Sequence, residues 1–113
     1  MAKRKIVWIN SAKLELKEIL IYWTKKTKSK AYSNKLSILI SEAINLLSQH
    51  PKIGRTTNDE NTRISIVRNY LIFYEVTETQ LIILSIWDAR RDENNTDLEN
   101  KKNIQVQNIA TSN

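Results

Sequence analysis

The chain has 113 residues, which allows one domain with a modest core. Its 41% hydrophobic content is ordinary for a globular protein, and the absence of Cys excludes a disulfide framework and thiol chemistry. A net charge of +6 and a pI near 9.7 favour an acidic partner, either nucleic acid or an acidic protein. His50 is the only His, so a zinc site is disfavoured, and any Ser-His-Asp arrangement would have to use a residue set just before Pro51. No metal or other cofactor is expected. The N-terminal apolar run is too short for a signal core, and no stretch reaches membrane-spanning length, so the expected location is the cytoplasm.

In chain order, Lys5 to Ile9 reads as a short strand, with Ile6, Val7 and Ile9 around Trp8. Asn10-Ser11 offers a helix N-cap, and Ala12, Leu16, Ile19, Leu20 and Trp23 then recur at helical spacing. The pattern fades in Thr24–Lys28. Ser29 can cap a second helix with the stripe Tyr32, Leu36, Leu39, Ile40, Ala43, Ile44 and Leu47, which Pro51 terminates. The two amphipathic helices form an antiparallel hairpin whose apolar stripes need a sheet to cover.

Gly54, the only Gly, is expected to supply a left-handed turn. Three strands follow: Arg63 to Val67, Tyr70 to Val76 and Leu81 to Trp87. Their short links make an antiparallel meander. The predicted fold is α+β, with order β-α-α-β-β-β and a helical hairpin packed on a small, mainly antiparallel sheet. Residues 1–92 form the domain. Residues 93–113 form a polar tail, either frayed or ordered by a partner.

Arginines and aromatics gather at the strand ends. Arg68, Tyr70, Trp87, Arg90 and Arg91 are expected at one end of the sheet, Arg63 at the other, and Tyr74 on the same face as Tyr70. Guanidinium forks grip phosphates and aromatic faces stack on bases, so Arg63, Arg68, Tyr74, Trp87, Arg90 and Arg91 are the candidate nucleic-acid or target contacts. The competing reading is a set of solvated edge charges.

Several segments together resemble the RelE/ParE superfamily of bacterial type II toxin–antitoxin toxins, and its ParE-like branch most. They are Val7-Trp8 with Ala12–Leu16, Leu47 to Arg55, Arg63 to Val76, and Ile82 to Arg91. The resemblance spans about residues 5–92. It implies a toxin held inactive by a cognate acidic antitoxin, in a hetero-oligomer with it, and acting either on DNA gyrase or on messenger RNA at the ribosome. It implies catalytic roles for Arg68, Arg90, Arg91 and Tyr70 only in the ribonuclease case. That case needs a general acid and base, yet Trp87-Asp88 stands where such ribonucleases often place His or Tyr, and 92–113 contains no Tyr. The gyrase reading is therefore preferred. An mRNA endoribonuclease and an inactive antitoxin-binding remnant are the alternatives. For the antitoxin, the helix stripes supply the candidate contacts Leu16, Leu20, Trp23, Leu36 and Ile40.

Overall fold

The computed structural model describes residues 3–90. Arg91 and the tail at 93–113 lie outside the described residues. Strand β1 (Lys5–Trp8) leads into helices α1 (Asn10–Thr27) and α2 (Ala31–Gln49). A single 3₁₀ turn (Pro51–Ile53) precedes β2 (Arg55–Thr56), β3 (Thr62–Val67), β4 (Tyr70–Val76) and β5 (Gln80–Asp88). The sheet order is β1-β5-β4-β3-β2. All pairs are antiparallel except β1 with β5. The α+β fold and its mostly antiparallel sheet match the expectation, with one added strand. At two residues β2 is too short to leave a periodic signal, and only its pairing with Arg63 and Ile64 defines it.

The α1 start differs from the expected Asn10-Ser11 cap. Ile9 takes the N-cap position without a side-chain bond. Its own N–H donates to the Ile83 carbonyl (3.2 Å), so the chain passes straight from sheet to helix. The helix runs on to Thr27, where Lys28 closes it in the left-handed conformation (φ 58°). Thr24 helps it continue: its hydroxyl bonds back to the Leu20 carbonyl and meets the Ser33 hydroxyl of α2 at 2.9 Å. Ser29 acts one place before the α2 cap, accepting the Ala31 N–H (3.0 Å).

The α2 stripe packs as its spacing requires, with Leu36, Ile40, Ile44 and Leu47 buried beside Ala12 of α1. They meet Tyr70, Ile72, Tyr74, Leu81, Ile83 and Ile86 on one face of the sheet. The opposite face carries Ile64, Leu71, Phe73 and Trp87. Opposite Phe73 and Tyr74, β5 contains an extra residue: Tyr74 pairs with Ile83 but Phe73 with Ser85. Glu15 serves this bulge from α1. One carboxylate oxygen accepts the Ile86 N–H and the Ser85 hydroxyl, both at 3.0 Å. No helix among the described residues is long and apolar enough to cross a membrane.

Candidate target and partner interface

The two ends of the sheet do different work. At the first end, Val67 pairs with Tyr70, so Arg68-Asn69 is a two-residue hairpin turn. Arg68 is exposed and sits at φ 58°, where a side chain costs roughly 1–2 kcal/mol. Tyr70 pairs with Asp88, and the Ala89 N–H donates to the Asn69 carbonyl (2.9 Å), which carries the ladder to Arg90. Arg68, Tyr70 and Arg90 therefore share this end of the sheet.

Tyr70 and Arg90 belong to a closed network there. The Trp23 indole N–H donates to the Tyr70 hydroxyl at 2.6 Å. Arg90 forks onto Asp88, with Nε to Oδ1 at 3.2 Å and Nη2 to Oδ2 at 3.3 Å, and its backbone N–H donates to the same Oδ1. Its guanidinium lies 5.5 Å from the centre of the Trp23 ring, within cation–π range. Lys26 approaches the same ring at 5.6 Å, and Tyr32 meets it edge-on at 4.8 Å. Burial pushes the Tyr70 phenol pKa up and outweighs the bond from Trp23, which pulls it down. Its bonds to Asp88 push the Arg90 pKa up as well. A phenol that resists ionisation is poorly placed to move a proton, and the half-exposed guanidinium is already paired with a carboxylate.

The other end holds a latch. The Tyr74 hydroxyl donates to the Pro51 carbonyl (2.6 Å) and accepts the Gly54 N–H (3.1 Å). Arg63 donates to the carbonyls of Gly54 (2.8 Å) and Lys52 (3.2 Å). The expected left-handed role for Gly54 is wrong: its φ is −71° and its ψ 159°. It must be Gly because a Cβ would overlap the Tyr74 hydroxyl and ring.

These positions correct the aromatic part of the expected site. Tyr74 is 0% exposed and Tyr70 2%, because the helix layer covers them. Trp87 is 3% exposed and lies on the opposite face, paired with Leu71. None offers a ring face for base stacking. Arg63 stands at the far end, as expected, and holds the latch. Arg68 and Arg90 both stay exposed, but Arg90 is already paired with Asp88. Sequence reasoning missed Glu15 and Asp88 as structural acceptors; for Asp88 the two-residue spacing to Arg90 was the available signal.

Between the helices runs an open groove of about 590 Å³. Leu16, Leu20 and Ile21 line its floor, and Lys13, Lys17, Lys25 and Lys30 stand around it with Ser33, Asn34 and Ser37. Leu16 and Leu20 are thus accessible to a partner. Leu36 (0%) and Ile40 (1%) are not, since their side of α2 is packed on the sheet. Trp23 is half-buried in the network described above.

Residues 6–93 match the family model described as ParE toxin of type II toxin–antitoxin system, parDE. The chain belongs to the ParE toxin family. Solved structures agree on the fold. A chromosomal ParDE toxin–antitoxin system from P. aeruginosa superposes with a TM-score of 0.64 at 18% identity, over 74% of this chain and 94% of that one. The toxin–antitoxin complex RelBE2 from Mycobacterium tuberculosis gives 0.56 at 17% identity, over 75% and 96%. No curated protein matches the sequence at a significant level. As a ParE-family member the chain is a toxin of a type II toxin–antitoxin system.

Proposed function

We propose that this ParE-family toxin arrests growth by binding DNA gyrase and is neutralised by an acidic antitoxin segment seated in the α1–α2 groove. One observation carries the preference for binding over RNA cleavage. The two described residues that cleavage would use beside Arg68 are already committed: Tyr70 to Trp23, and Arg90 to Asp88 and the Trp23 ring. A ribonuclease needs groups free to exchange protons with the 2′-hydroxyl and the leaving oxygen. A protein-binding toxin needs only a rigid surface, and the network supplies rigidity. Arg68, exposed at the hairpin tip, is the residue assigned to contact the target.

The groove supports the antitoxin part of the reading. Its apolar floor and surrounding lysines suit an amphipathic segment with acidic flanks that folds as it binds. The two superposed structures are themselves from toxin–antitoxin systems.

The test is expression without antitoxin, followed by precursor incorporation and a supercoiling assay with purified gyrase. Early loss of DNA synthesis and inhibited supercoiling are expected, both abolished by Arg68→Ala. Early collapse of translation with cleaved messages would refute the gyrase assignment. Charge reversal at Lys13, Lys17, Lys25 and Lys30 should weaken antitoxin binding and flatten its salt dependence.

A further inference from the structure

Among the described residues, the non-glycine positions with a positive φ are Lys28 and Arg68, both at 58°. Glycine or asparagine suits such a position, and a long side chain there is strained. Lys30 stands at the N-cap of α2, where a cation opposes the helix dipole, and the first turn holds no acid to offset it. Three cations thus occupy places that folding by itself disfavours. They share one end of the molecule. Lys28 and Lys30 belong to the link between the helices, and Trp23, near the end of α1, bonds Tyr70, two residues after Arg68. Lys25 and Lys26 join them from the last turn of α1. All five are exposed, and none forms an ion pair among the described residues, since Asp88 at this end is held by Arg90.

We propose that this end of the toxin binds the phosphate backbone of duplex DNA directly. Exposed cations kept at positions that cost stability point to a polyanion. An acidic protein fits less well, because no large apolar side chain is exposed between Trp23 and Lys35 to anchor one, in contrast to the groove with its apolar floor. The ring faces decide against a single strand. Tyr70 is buried, the Trp23 ring is approached by Lys26, Arg90 and Tyr32, and Lys26 also lies 5.6 Å from the centre of the Tyr22 ring. Single-strand binding depends on bases stacked on open rings. This surface offers charge alone, which serves the backbone of a duplex whatever its sequence. The inference goes beyond the gyrase reading, because the toxin holds the DNA without the enzyme.

Fluorescence anisotropy of the full, antitoxin-free toxin tests this, with two labelled duplexes of unrelated sequence and a single-stranded RNA of the same length, and with no gyrase present. Both duplexes should bind equally, more tightly than the RNA, and with affinity that falls steeply as salt rises. The variant carries Lys26→Gln and Lys28→Gly, which spare the groove lysines and relieve the strain at residue 28. It should melt no lower than the parent, bind both duplexes at least about tenfold more weakly, and lose about 2 from the slope of log affinity against log salt. Duplex binding that is absent in the parent, or unchanged in a folded variant, overturns the proposal. So does tighter binding to the RNA. A variant that loses affinity for the antitoxin but not for DNA also overturns it, by making these lysines part of the antitoxin seat. Because gyrase is absent, a failure here leaves the gyrase assignment standing, and supercoiling assays test that assignment separately.

Discussion

Gly54→Ala tests the latch at the far end of the sheet, and its sign is set by a competition. At φ −71° and ψ 159° alanine is conformationally acceptable, so unfolded-state entropy alone would make the change stabilising by about 0.4–1 kcal/mol. Packing opposes this. The new Cβ would overlap the Tyr74 hydroxyl and lie 2.8 Å from two ring carbons. Tyr74 is fully buried and cannot swing into solvent. Displacing it breaks the bonds to Pro51 and Gly54, each worth about 0.5–1.5 kcal/mol, and adds overpacking strain of about 1–3 kcal/mol. The net expectation is a loss of about 2–4 kcal/mol, a large share of the roughly 5–15 kcal/mol typical of a domain. Urea unfolding should show a lower midpoint with an unchanged slope. Tyr74→Phe should cost about 1–2 kcal/mol alone, from its two hydrogen bonds. Combined with Gly54→Ala it should cost less than the sum by about 1 kcal/mol, because the hydroxyl part of the clash is gone. A Gly54→Ala chain as stable as the parent would refute the close seating of Tyr74 and the account of why this position is glycine.

Three further outcomes follow from the same geometry. Glu15→Ala should destabilise by about 1–3 kcal/mol, by removing the carboxylate that accepts the Ile86 N–H and bonds the Ser85 hydroxyl in the β5 bulge, whereas Glu15→Gln keeps a carbonyl there and should cost less. Equal losses in the two variants would rule out the hydrogen-bond explanation. Arg68→Gly relieves roughly 1–2 kcal/mol of left-handed strain against a glycine entropy cost of about 0.5–1 kcal/mol, so stability should hold or rise slightly in thermal melts while toxicity falls. Parallel loss of stability and toxicity would make Arg68 a structural residue. Burial raises the phenol pKa of Tyr70 and Tyr74 above the ordinary 10.0, so the folded state holds these protons more tightly than the unfolded state. Their contribution is complete below pH 10.0 and declines as pH rises through the folded values, since the unfolded chain ionises first. Alkaline denaturation profiles should therefore be shallower in Tyr70→Phe and Tyr74→Phe than in the parent, and identical slopes would contradict the burial argument.

The layer structure was readable because it rests on short-range periodicity. Leu36, Ile40, Ile44 and Leu47 repeat at helical spacing, and the meander follows from links too short for anything but antiparallel neighbours. Placing Arg63 and Arg68 at opposite ends needed only the length of β3. The side-chain environments at those ends were not readable in the same way. Which face Trp87 takes depends on its register against Leu71, and a one-residue bulge in β5 intervenes. Whether Tyr70 and Tyr74 meet solvent depends on where the helices lie. The reason for Gly54 is a side chain twenty residues away, whereas the φ rule for glycine is local. The stripe that holds Leu36 and Ile40 shows that one helix face is apolar, without showing whether sheet or partner covers it.

The residues that carry the family resemblance are largely those that hold the fold. Pro51, Gly54, Arg63 and Tyr74 form one latch, and Tyr70, Asp88 and Arg90 with Trp23 form the network at the other end. Within this chain the latch and the network hold the sheet, and the surfaces around them take no part in either. Target and antitoxin specificity should then reside in positions with no part in either network: Arg68 at the hairpin tip, and the groove with its Lys13, Lys17, Lys25 and Lys30 surround. Substitutions there should change what the toxin binds at little cost in stability, whereas substitutions in the latch should destabilise it whatever its target.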